Sequence, residues 1–131
     1  VVEQFKRHRA SFLELKEMML ADAAIGEVAV ADLQAGKPSE LAADRRDAYG
    51  RLLSEVGASS VASRGDGLNK GEVAIAIPAP AGWPSGARAM IVFAEAIGLQ
   101  RVETLADRLA SGKGLKVARE LDIDWYLVGR N

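Results

Sequence analysis

Cysteine is absent from this chain, and histidine occurs once, at position 8. Without thiols there can be no disulfide, no thiolate zinc site and no cysteine nucleophile. With one imidazole most histidine-based metal centres are excluded as well, and His8 is left as a lone candidate general base. No apolar run approaches the roughly 20 residues of a membrane helix, so no membrane span is expected in this chain. A basic-then-apolar signal segment is also missing. Charge of one sign is not in excess: 17 Lys and Arg stand against 18 Asp and Glu, for a net charge of -1. The basic residues are dispersed along the chain, which argues against a nucleic-acid partner.

What remains is a chain of 131 residues, 49% of them hydrophobic. That is enough to bury a continuous core without metals or disulfides, so residues 1–131 are expected to form a single soluble α+β domain. The chain opens at Val1-Val2 without an initiator Met, from which we expect that an upstream segment has been removed. Composition alone does not decide the compartment, because exported proteins can also lack cysteine.

The first segment, "VVEQFKRHRASFLELKEMMLAD", places Phe5, His8, Phe12, Leu15 and Met19 on one face at helical spacing, with Lys6, Arg9, Lys16 and Glu17 elsewhere. Ala23 to Lys37 reads as an irregular connection. "PSELAADRRDAYGRLLSEVG" suggests a second helix that starts at Pro38 and Ser39 and stops at Gly57. Its stripe is Leu41, the stem of Arg45, Tyr49, Leu52 and Val56. From Ser59 the period changes to two: Val61 marks one strand, and Val73, Ile75 and Ile77 alternate with Ala74 and Ala76 in the next. "ARAMIVFAEA" follows as a third strand. "RVETLADRLASG" returns to helical spacing, and a terminal hairpin runs from Leu115 through a turn at Asp122 to Asp124 into "WYLVG". The fold class is therefore α+β: two N-terminal helices packed on a mostly antiparallel sheet, with one further short helix before a C-terminal hairpin. Phe5, Phe12, Leu15 and Met19 are expected to pack with Tyr49, Leu52 and Val56 on Val73, Ile75, Ile77, Ile91 and Phe93.

Three stretches resemble functional motifs but fail on spacing. In "SRGDGLNKGE" a calcium loop counted from Asp66 would put Leu68 and Lys70 at ligand positions, so the stretch reads as a hairpin loop. The Arg64-Gly65-Asp66 triplet within it reads as turn residues, not as an adhesion site. "SGKGLK" follows a helix where a phosphate loop should open one, and Gly114 replaces the hydroxyl residue. Ser59 and Ser60 do not make a nucleophile elbow, because Val61 stands where glycine is required. Asp122 and Asp124 are a candidate carboxylate pair, although turn formation is their ordinary use. Trp83, in the Pro- and Gly-rich "AGWPSG", is a candidate binding anchor; its ordinary use is to fold back over the sheet edge.

A helix carrying Phe5, Arg9, Phe12, Leu15 and Met18, a second carrying Arg46, Tyr49 and Leu52, then strands closing on Trp125-Tyr126-Leu127, resembles a group of small bacterial exported proteins, often with a lipoprotein signal. The resemblance implies a periplasmic or envelope-associated location and no particular activity. This chain lacks the group's Lys-Gly-Tyr step in the middle strands and has "SGARAMIVF" there.

Two readings follow. One is a noncatalytic cell-envelope binding or structural domain whose partner is an envelope protein or surface component. The alternative is a small-ligand binder or enzyme that uses His8 with carboxylates, for which His8 would have to meet Asp122 or Asp124 in a cleft. Neither reading calls for a cofactor or a metal.

Overall fold

The structure, a computed structural model, describes residues 2–64, 72–94, 100–101, 116–122 and 124–130. Helices α1 (Val2–Arg7) and α2 (Arg9–Ala21) come first, followed by a short 3-10 turn, strand β1 (Glu27–Ala29) and helix α3 (Val30–Gln34). Helix α4 (Ala43–Val56) then leads into β2 (Ser60–Arg64), β3 (Glu72–Ile77) and β4 (Arg88–Phe93). The two-residue β5 (Gln100–Arg101) precedes the closing pair, β6 (Lys116–Asp122) and β7 (Trp125–Arg130). The helix expected over 101–112 lies outside the described residues, apart from Arg101.

The seven strands among the described residues join one sheet in the order β1-β2-β3-β4-β7-β6-β5. Every pairing is antiparallel except β5 with β6. Residues 65–71 of "SRGDGLNKGE" are outside the described residues, but Arg64 pairs with Glu72 on either side of them, as a hairpin requires. The last strand does not lie at an edge. It sits between β4 and β6, with Phe93 opposite Trp125 and Arg88 opposite Arg130.

Period two decides which face each residue serves. Val73, Ile75, Ile77, Ile91, Trp125 and Leu127 point to the helix side and join one core with Phe5, Phe12, Leu15, Met19, Tyr49, Leu52 and Val56. Phe93 packs against that core from a half-buried position. Each such side chain contributes about 1.5–3 kcal/mol through removal of apolar surface from water. Phe5 and Phe12 stand two helical turns apart, and both rings meet Trp125, at centroid distances of 5.4 and 6.4 Å. Phe93 reaches the same indole at 5.4 Å, so the first helices and the last strand share one aromatic cluster.

Three local expectations are corrected. The first helix bends at His8, where φ -111° and ψ 22° leave the helical region although the flanking backbone bonds persist. Helix α4 begins at Ala43, not at Pro38, because residues 38–41 close a turn of their own whose carbonyls accept from the Arg46 guanidinium. The stretch from Ala23 to Lys37 is more ordered than its sequence suggests: Val28 is fully buried opposite Val61, and β1 forms the sheet edge.

The α4 C-terminus follows the sequence closely. Gly57 is left-handed at φ 70°, and the N–H groups of Gly57 and Ala58 donate to Ser54 and Leu53, the paired bonds of a Schellman motif. The Gln4 amide donates to the Val56 carbonyl at 2.6 Å and satisfies another open acceptor at that helix end.

Candidate functional site

The face of the sheet turned away from the helices carries the alternate residues of the same strands. Cross-strand register aligns Ser60, Ala76, Met90 and Val128 in one row, and Ala62, Ala74, Val92 and Tyr126 in the next. Toward β7 this face is buried, with Val92, Tyr126 and Val128 at 3% exposure or less. Toward β1 it opens into a cavity of about 430 Å³ floored by Ser60, Ala62, Ala74 and Ala76 and bordered by Met90, Arg88, Arg130 and Glu27. Methyl side chains leave the sheet surface low there, so a bound group can lie close to the backbone. The volume falls within the usual range for ligand clefts, about 300–1,000 Å³.

The charges around this cavity are not evenly placed. Arg88 and Arg130 are register partners on adjacent strands, which puts their Cα atoms about 4.5–5.5 Å apart with both side chains on the cavity face. Both arginines are exposed, and neither makes an ion pair with a described residue. Glu27 lies on the far edge strand, three strands from Arg88 and four residues along the strand direction. That separation is about 14 Å in each direction. A second cavity, of about 380 Å³, lies where α4 meets β2, lined by Val30, Gly57, Ala58, Ser59, Ile77 and Pro78. No charged side chain among the described residues borders it, so those residues offer a ligand little to orient on.

The residues singled out from the sequence lie elsewhere. His8 is half-buried at the bend between α1 and α2, and its backbone continues the helical bonding through Gln4 and Phe12. Asp122 is held by Arg9 at 2.8 Å. Asp124 adopts φ 64° in the tight β6–β7 turn, a conformation Asp tolerates better than most residues, and its carbonyl accepts from Ala94. Neither cavity is lined by His8, Asp122 or Asp124. Trp83 is half-buried and packs against the helix-side core. Two successive turns hold it there: the N–H groups of Trp83 and Ala87 donate to Pro80 and Pro84, with Gly82 and Gly86 at φ 88° and 81°. Positive φ at the third position is what a type II turn needs, and glycine supplies it without strain.

One half-buried polar cluster lies in the helix layer, around the buried Tyr49. The Asp22 carboxylate accepts from Tyr49 Oη at 2.7 Å and from Arg45 Nε at 2.9 Å, and Arg45 also donates to the Met18 carbonyl. Burial, reinforced by the hydrogen bond to Asp22, pushes the Tyr49 phenol well above the usual tyrosine range. The same carboxylate keeps Arg45 more firmly protonated. Every buried polar atom of this cluster is satisfied, and neither of the two cavities is lined by it, so its role is to fasten the α2 C-terminus to α4. No family model, curated protein or solved structure was found to match this chain.

Proposed function

We propose that this chain is a noncatalytic binding domain of the bacterial cell envelope whose ligand or partner engages the alanine-floored cavity on the outer face of the sheet. The cavity itself carries this reading. Alanine and serine occupy four adjoining positions of a central sheet whose other face is filled by Val, Ile, Leu and Trp. The acid–base alternative through His8 gains no geometric support among the described residues, because Asp122 is engaged by Arg9 and Asp124 serves a turn.

The binding half of the proposal is tested by screening small molecules against isotope-labelled protein. Ligands should shift the amides of Ser60, Ala62, Ala76 and Met90 as a group, and Ala76→Leu, which fills the floor, should abolish those shifts. Binding confined to other surfaces would overturn it. The envelope half draws its support from the resemblance carried by Phe5, Phe12, Leu15, Tyr49 and Trp125-Tyr126-Leu127. Fractionation of the full-length protein in its native cell should recover it with the envelope; recovery in the cytosol would refute that half.

A further inference from the structure

Resting on the reading of the outer-face cavity as a binding site, we infer that its ligand is an amphiphilic anion: a carboxylate or phosphate headgroup on a short aliphatic body. Arg88 and Arg130 face one another across β4 and β7. Like charges directly opposite in a sheet destabilise it, and these two have no described counter-ion. An anion between them removes that repulsion and accepts the charge-assisted hydrogen bonds that guanidinium groups give to planar oxyanions. Adjacent arginines at one end of a cavity thus define where the headgroup sits.

The remainder of the cavity defines what the headgroup must be attached to. From the arginine pair the floor runs over Ala76, Ala74 and Ala62 toward β1, with Met90 alongside. Methyl groups on a pleated surface offer contact without hydrogen bonds, and a flexible thioether adapts to an aliphatic chain. Glu27 closes the far end with a negative charge. It repels a second anionic group and so favours a single orientation, with the headgroup at Arg88 and Arg130 and the tail toward β1.

The experiment compares octanoate, octyl phosphate, octanol and octyltrimethylammonium, with acetate and inorganic phosphate as tail-free anions, all below micelle-forming concentrations. Amide shifts at Ser60, Ala62, Ala76 and Met90 report occupancy. Octanoate, octyl phosphate or both should bind, and the tighter of the two identifies the headgroup. Each of Arg88→Gln and Arg130→Gln should weaken that binding about tenfold, equivalent to roughly 1.4 kcal/mol, without lowering the melting temperature, since either change relieves the repulsion between the pair. If octanol or the ammonium compound binds as well as octanoate, the anion assignment is wrong while the cavity remains a binding site. If acetate and phosphate bind as tightly as their octyl counterparts, the aliphatic part is wrong. Silence from all six, with other molecules shifting the same amides, would overturn the inference and leave the broader reading standing. An unchanged affinity in both arginine variants would also overturn it.

Discussion

Strand β3 serves two faces with two kinds of residue: Val73, Ile75 and Ile77 face the helices, whereas Ala74 and Ala76 face away from them. On the helix side all three β3 positions carry branched side chains that share one core with Phe5, Phe12, Tyr49 and Trp125. On the outer side the same backbone is covered toward β7 and left low toward β1. The difference lies in how the residues are used. Large side chains on one face supply the stabilisation, which frees small ones on the other to leave space beside a pair of arginines that no described residue neutralises.

The contrast can be broken first on the helix side. Phe12→Ala removes a fully buried ring that touches Phe5 and Trp125, and should cost about 3–5 kcal/mol in denaturant unfolding. A loss below 1 kcal/mol would mean that the aromatic cluster does not organise the core. Tyr49→Phe removes one charge-assisted hydrogen bond to Asp22 and should cost about 1.5–3 kcal/mol. The pH dependence has a definite sign. The folded state binds the phenolic proton more tightly than the unfolded chain, so the contribution is complete below the unfolded tyrosine value of about 10. It is lost as pH rises from there through the raised folded value. Stability curves of wild type and Tyr49→Phe should therefore converge in strong alkali, and parallel curves would contradict the assignment.

Smaller effects sharpen the comparison. Trp83→Ala takes away a half-buried ring resting on the helix-side core, and should lower stability by about 1.5–2.5 kcal/mol, roughly half the loss for a buried aromatic. A melting temperature unchanged by this substitution would return Trp83 to the role of a binding anchor. On the outer face, Ala76→Leu should alter stability by no more than about 0.5 kcal/mol, measured by thermal unfolding. A large change there would show that the cavity is part of the packed core.

Most of the helix-side architecture was legible from periodicity. Phe5, Phe12, Leu15, Tyr49 and Leu52 keep helical spacing, Val73 to Ile77 alternate, and Gly57 stops α4 where a left-handed residue was expected. The bend at His8 was not legible, because the apolar spacing runs through it unchanged. Strand β1 was missed because three residues are too few to establish a period, and Val28 is buried only because β2 lies beside it. The outer cavity left one trace: alternation of Val and Ile with alanine, where a water-facing strand would carry polar residues. Its arginines left none. Arg88 and Arg130 become neighbours only through the β4–β7 register, a long-range pairing that no local pattern encodes.

The position of β7 between β4 and β6 has a consequence for how the chain acquires its structure. During synthesis the meander β2-β3-β4 can pair as it emerges, but the edge of β4 stays open until β7 arrives to occupy it. Phe5 and Phe12 meanwhile wait for Trp125, a ring partner more than 100 residues further along the chain. Closure of such distant contacts slows folding relative to a helical protein of the same length. An unpaired strand edge in the interval is a template for another chain. The nascent protein is therefore most vulnerable to aggregation in the interval after β4 has emerged and before β7 covers its edge, a window that slower translation of the codons between them would lengthen.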